Sequence, residues 1–343
     1  MTTTSGPGFT TLPDLASRAL GGSVVHANDE LFAARENLIK PGAAVFDPQE
    51  FGPRGKVYDG WETRRRREPG NDFAVVRLGV PGVVHGVVVD TAWFTGNYPP
   101  SVSVEGASLD GYPSVDELSE AEWVPLVPQS KIKGDRENPL PVEVSRRFTH
   151  ARLTIYPDGG VARLRVHGEP VPDPGLLTGT VDLAALENGG DIVACSDMFY
   201  SSARNLLMPG RARHMGEGWE NARRRDDGND FVTVRLAAAG TVRRVVVDTS
   251  YFVGNAPGWV SLKGLDGTRR PVEDPDAWVG LVPRTRVQPD LRHQFPVESD
   301  DPVTHVRLDV FPDGGLARLR VLGELTGEGM AALTDRHRAS LLR

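Results

Sequence analysis

THARLTIYPDGGVARLRVHGE, residues 149–169, returns later in the chain as THVRLDVFPDGGLARLRVLGE, residues 304–324. Each copy reads as two short strand-like runs around a Pro-Asp-Gly-Gly turn. Pro presets φ and Gly supplies positive φ, so a tight hairpin is expected. In the second run Val161, Leu164 and Val166 interleave with Arg163 and Arg165, with a slip at Ala162. That period of two is a strand signal.

Outward from this stretch, three more blocks return in the same order. GGSVVHANDELFAARENLIKPG at 21–42 reappears as GGDIVACSDMFYSSARNLLMPG at 189–210. GWETRRRREPGNDF at 60–73 reappears as GWENARRRDDGNDF at 218–231, and VVVDTAWFTGN at 87–97 as VVVDTSYFVGN at 245–255. The offset falls from 168 to 158 to 155, so length changes lie between blocks, where loops absorb them cheaply. The chain is a tandem duplication. Its expected parts are an N-terminal segment (1–20), a first repeat (21–169), a linker (170–188), a second repeat (189–324) and a C-terminal helix (325–343). The helix is expected because Met330, Leu333, His337 and Leu341 share a face. Helical patterns are also read at 29–38 and 182–187.

Strands are expected at 72–78, 83–90, 102–106, 151–156 and 161–167, separated by Gly, Pro, Asn or Asp. The crossover helices of a parallel sheet are missing. The fold class is therefore all-β: one antiparallel sandwich or jelly roll per repeat, with a few short helices. The abundance of turn formers, 38 Gly and 27 Pro in 343 residues, agrees.

Composition narrows the function. With 39 cationic and 46 acidic residues the net charge is −7, which gives no global positive field toward nucleic acid or anionic lipid. No stretch reaches the length of a spanning helix, and residues 1–11 lack a basic and an apolar leader region. A cytoplasmic protein is expected. The single Cys195 excludes an intrachain disulfide and reads as an inert buried thiol. The eight His residues show no metal-ligand spacing; no metal or cofactor is predicted, and a site built from distant loops stays open. Nucleotide loops and nucleophile elbows are absent.

Charged and polar residues identical in the two copies are the candidates for a site. They include Glu62, Arg65, Arg66, Asp72, Asp90, Asn97, His150, Arg152 and Asp158, matched by Glu220, Arg223, Arg224, Asp230, Asp248, Asn255, His305, Arg307 and Asp313. In an extended segment Arg64 and Arg66 point one way, Arg65 and Arg67 the other, and one pair needs carboxylate partners. The alternative is an Arg fork for a ligand carboxylate. Asp90 ends a buried run before an aromatic loop, TAWFTGN, whose rings, Trp93 among them, either wall a pocket or only pack the loop. For His150 the plainer reading is a capping or core hydrogen bond.

Together, in this order and duplicated, the blocks DGWETRRRR…GND, VVVDTAWFTGN and PDGGVARLRVHGE resemble the allantoicase (allantoate amidinohydrolase) family across residues 21–324. The resemblance implies two galactose-binding-like jelly rolls. It also implies hydrolysis of allantoate to (S)-ureidoglycolate and urea in allantoin catabolism, a reaction at a C–N bond. Such a substrate needs an Arg clamp for its carboxylate, acceptors for ureido N–H groups and a proton-exchanging group. The expected catalytic residues are Glu62, Asp90 and His150; those expected to bind substrate are Arg65, Arg66, Asp72, Trp93, Asn97 and Arg152. The first repeat, which keeps the DGWET form, is the favoured site. A homo-oligomer without nucleic-acid or membrane partners is expected. The competing reading is a non-catalytic carbohydrate- or small-ligand-binding module pair.

Overall fold

The computed structural model describes residues 7–53 and 55–341; the first six residues of the expected N-terminal segment and the last two of the expected C-terminal helix lie outside this range. The chain divides into two compact units, one made of the residues up to Val171 together with those from Ala339 onward, the other spanning Pro172–Arg338. Among the described residues no helix is long and apolar enough to cross a membrane.

In the first unit seven strands matter: β1 (Ser23–Ala27), β2 (Asp72–Asp90), β3 (Ser101–Ala107), β4 (Val124–Lys131), β5 (Glu137–Pro141), β6 (Arg147–Tyr156) and β7 (Arg163–Pro170). A short helix, α1 (Val115–Glu120), is closed by a capping box between Ser114 and Glu117. All pairings are antiparallel. β2 organises the sandwich. Its first half lies between β1 and β6, which continues through β3 to β4; its second half lies between β7 and β5. The expected strands 72–78 and 83–90 are thus one strand. Between Arg77 and Gly82 the ladder to β6 slips, and this interruption accommodates Pro81, which lacks an N–H.

The second unit repeats the plan with β8 (Asp191–Cys195), β9 (Asp230–Asp248), β10 (Trp259–Leu265), β11 (Val279–Arg286), β12 (Arg292–Pro296), β13 (Pro302–Phe311) and β14 (Arg318–Leu325). β9 takes the place of β2, with β8 and β13 on its first half and β14 and β12 on its second. Each unit is an antiparallel jelly-roll sandwich. Its core comes from inward residues of these strands: Val76, Val87, Val89, Leu153, Ile155 and Leu164 are fully or nearly fully buried, as are Val234, Val245, Val306 and Leu319.

Three local expectations change. The Pro-Asp-Gly-Gly loop is no hairpin, because β6 and β7 bond to opposite edges of β2 and the loop crosses between them. The slip at Ala162 marks a change of partner: residues 160–161 pair with 61–62, and only from Arg163 does the chain run along β2. The 29–38 pattern is a 3-10 turn at Arg35–Ile39, and the 182–187 pattern a 3-10 turn at Leu186–Asn188. A C-terminal helix, α2, does form over Gly327–Leu341; Leu333 is buried in it, whereas Leu341 is 41% exposed. Residues before 21 are also built in: the buried Leu15 donates its N–H to Val166, as Leu183 does to Val321.

Candidate active site

Four loops meet at one end of the first sandwich, beyond the start of β2 and the end of β6. Glu62 is pinned by its backbone on both sides, exchanging hydrogen bonds with Ala33 on one edge and pairing with Gly160 on the other. Trp61 is fully buried, and its indole N–H donates to the Asp29 carbonyl at 2.8 Å. The aromatic loop after β2 closes over this ladder. Its Phe94 ring lies so near the 160 backbone that a Cβ on Gly160 would sit 2.0 Å from Phe94 Cε1. That close approach is why the loop needs Gly there. The seated loop directs Asn97 to the Glu62 side chain: Nδ2 donates to Glu62 Oε1 at 2.6 Å. Burial pushes the Glu62 carboxyl above its ordinary value, and the Asn97 hydrogen bond opposes that shift.

Beside Glu62 the arginine run divides as its alternation requires. Arg64 Nε reaches Asp29 Oδ2 at 2.6 Å, and Arg66 Nη1 reaches Asp72 Oδ1 at 2.5 Å. The Arg66 backbone N–H donates to Asp158 Oδ2 at 2.8 Å. Asp72 is only 1% exposed, and Asn28 braces it, accepting from the Phe73 N–H while donating to Asp72 Oδ1. Gly70, at φ +136°, leaves room for the Arg66 guanidinium: a Cβ there would lie 2.7 Å from Nη2. Arg65 is exposed and has no ion-pair partner among the described residues. Arg66 is therefore committed to the protein, whereas Arg67, like Arg65, is exposed and has no ion-pair partner among the described residues.

Trp93 occupies a left-handed conformation, φ 71°, and accepts that strain because its N–H donates to Asp135 at 2.8 Å. Its ring stacks on Phe46, which stacks on Tyr58, leaving Trp93 46% exposed. Asp90 caps the same loop by accepting from the Ala92 N–H at 2.8 Å.

The structure does not bring His150 or Arg152 to this end. His150 faces Arg77 in the ladder, five residues along from the Asp72–Ile155 pair, roughly 16 Å away at strand spacing. It is buried, shares a hydrogen bond with Thr149 Oγ1, and burial followed by the Arg77 charge lowers its pKa to about 4. Arg152 pairs with Glu105 at 2.7 Å and stacks on Trp123. Cys195 donates to the Asp197 carbonyl, and burial pushes its thiol up to about 11, an unreactive state. Among the described residues no cluster of three His, Cys, Asp or Glu is arranged around a cation position. Asn28 escaped the sequence reading, although Asn28-Asp29 and Ser196-Asp197 stand at matching positions of the first returning block.

Comparison with known proteins identifies the line of descent. A family model described as the allantoicase repeat matches residues 13–171 and again 181–326. A probable allantoicase of Nocardia farcinica is 58% identical over 326 residues, covering 93% of this chain and 96% of that protein. The allantoicase of Dictyostelium discoideum is 43% identical, covering 90% and 86%. The crystal structure of allantoicase from Saccharomyces cerevisiae superposes with a TM-score of 0.76 at 35% identity, covering 91% of this chain and 93% of that one. With both repeats matched and both sandwiches built alike, this chain belongs to the allantoicase family.

Proposed function

We propose that the chain hydrolyses allantoate to (S)-ureidoglycolate and urea, with the loop end of the first sandwich as a reaction site. In this reaction the bond between the central carbon and one ureido nitrogen breaks. That nitrogen takes a proton and departs in urea, while the hydroxyl of water joins the carbon. The observation that carries the reading is Glu62: a half-buried carboxyl with a raised pKa, fixed by Asn97, with the exposed, unpaired Arg65 three residues along the same loop. Glu62 then exchanges the proton, since a carboxyl shifted toward neutrality serves that task. Arg65 holds the substrate carboxylate through its planar fork. Asn97 positions Glu62, Trp93 offers a wall, and Arg66, Asp72 and Asp158 keep the arginine loop in place. Asp90 acts through the loop it caps. His150 and Arg152 take no part.

The test is urea release from allantoate by the purified chain, with galactose binding measured alongside. Urea with no sugar affinity supports the hydrolase; sugar affinity without urea supports the binding-module reading. Family membership and the unpaired Cys195 also favour a cytoplasmic enzyme of allantoin degradation for nitrogen use. The exposed Phe199, Tyr200 and Val253 favour a homo-oligomer, to be checked by solution mass.

A further inference from the structure

We infer that the second repeat holds a second working site for the same substrate, so that each chain carries two; this rests on the allantoate reading above. The duplication preserves the machinery and its internal geometry. Glu220 Oε1 accepts from Asn255 Nδ2 at 2.6 Å, the distance found between Glu62 and Asn97. Arg224 Nη1 reaches Asp230 Oδ1 at 2.6 Å, and its backbone N–H donates to Asp313 Oδ2 at 2.7 Å. Ser196 replaces Asn28 and does its work, bonding both Asp230 Oδ1 and the Phe231 N–H. Tyr251 replaces Trp93 in the same left-handed conformation, φ 71°, held by Asp290 as Trp93 is by Asp135. Arg223, like Arg65, is exposed and has no ion-pair partner among the described residues.

A repeat kept only as scaffold would need the Arg224–Asp230 pair, which ties the loop to the strand. It would have no need of a Glu–Asn pair outside the strand ladders or of an exposed, unpaired cation three residues further on. Two further polar atoms in this repeat are buried without a partner: Asp230 Oδ2 and, next in sequence to Glu220, Asn221 Nδ2. Asn221 is 5% exposed and Asp230 1%, so both groups were taken out of water. Asn221 Oδ1 accepts from the Gly314 N–H, so this residue braces the loop behind Glu220 as Thr63 braces the one behind Glu62. The changes between the copies lie around this set. The ten residues by which the first repeat is longer there fall in the 43–59 loop, which carries Phe46 and Tyr58. These enlarge the aromatic wall of one site and leave the acid, the amide and the cation common to both.

Urea release by the full chain is compared for wild type, Glu62→Gln, Glu220→Gln and the double variant, each checked by thermal melt. Each single substitution should leave between a tenth and nine-tenths of wild-type kcat, and the double should lose at least about 100-fold. Asn255→Ala, which removes only the amide beside Glu220, should mimic Glu220→Gln if the latter folds poorly. A 100-fold loss from Glu62→Gln alone, with Glu220→Gln and Asn255→Ala unchanged, overturns the second site. Equal 100-fold losses from either single substitution overturn two independent sites in favour of one that needs both repeats. An inactive wild type would instead overturn the allantoate reading itself.

Discussion

Arg65 and Arg66 are neighbours, yet replacing each by Lys should break different things. Arg66 Nη1 donates to a carboxylate that is 1% exposed, from a side chain itself only 28% exposed. Such a charge-assisted hydrogen bond is worth about 1.5–3 kcal/mol. Lys keeps the charge but not the planar fork, so Arg66→Lys should cost about 1–2 kcal/mol of stability. In a unit of this size that lowers Tm by roughly 2–8 °C. Its KM for allantoate should stay within about twofold, because Arg66 is already occupied by Asp72. Arg65 has no partner to lose, so Arg65→Lys should leave the melt unchanged, as surface substitutions do. Changing both repeats together, Arg65→Lys with Arg223→Lys, should raise KM roughly 10- to 100-fold with kcat little altered, the mark of lost uniform binding. Initial rates of urea release and thermal melts on the same samples decide it. A Tm unchanged by Arg66→Lys with a raised KM, alongside ordinary kinetics for the Arg65/Arg223 variant, would refute the division of labour.

Three further outcomes follow from the geometry. Asn97→Ala removes the hydrogen bond that lowers the Glu62 pKa while burial still raises it; in a Glu220→Gln background the Glu62 limb of the pH–rate profile should therefore move to higher pH, and an unmoved limb would separate Asn97 from Glu62. Gly160→Ala drives a methyl into the Phe94 ring, so it should cost about 1–3 kcal/mol by melt and lower kcat through the displaced 91–97 loop. His150 is held neutral, with a folded pKa of about 4 against 6.5, so its contribution is full above pH 6.5 and is lost as pH falls toward 4; His150→Gln should make the acid decline of stability shallower over that window, and an equally steep decline would sink this account.

The architecture was legible where the chain could be compared with itself, and obscure where pairing partners are distant. Gly79 and Pro81 read as punctuation between two strands. The chain runs straight through them because β1 and β6 hold one half of β2, and β7 and β5 the other. The Pro-Asp-Gly-Gly loop has the local chemistry of a hairpin. Whether such a turn joins neighbours or crosses to the far edge of a third strand is decided by pairing to β2, about which the turn residues carry no information. The alternation of Arg64 to Arg67 was sufficient to divide them by face, since a period of two is a property of the extended segment alone.

The candidate site needed a different kind of reading, because identity between the copies mixes what the fold requires with what a ligand requires. His150 and His305 are identical, and the structure accounts for both: each is at least partly buried and shares a hydrogen bond with the preceding threonine hydroxyl. Arg152 is likewise satisfied by Glu105, and Arg66 and Arg224 by the aspartates that end their loops. Identities of this kind are explained once the partners are named, and no ligand is required to maintain them. Arg65 and Arg223, with Arg67 and Arg225, are different: both repeats keep exposed guanidinium groups that no carboxylate of the described protein engages, a few residues along from a carboxyl whose own partner is a neutral amide. Nothing internal to either sandwich holds those positions to arginine, and Lys would serve solubility equally well. The proposed site gives Arg65 and Arg223 a use, since a planar, bidentate cation matches the carboxylate of allantoate, and the kinetics of the paired Arg→Lys variant decide whether that use is real.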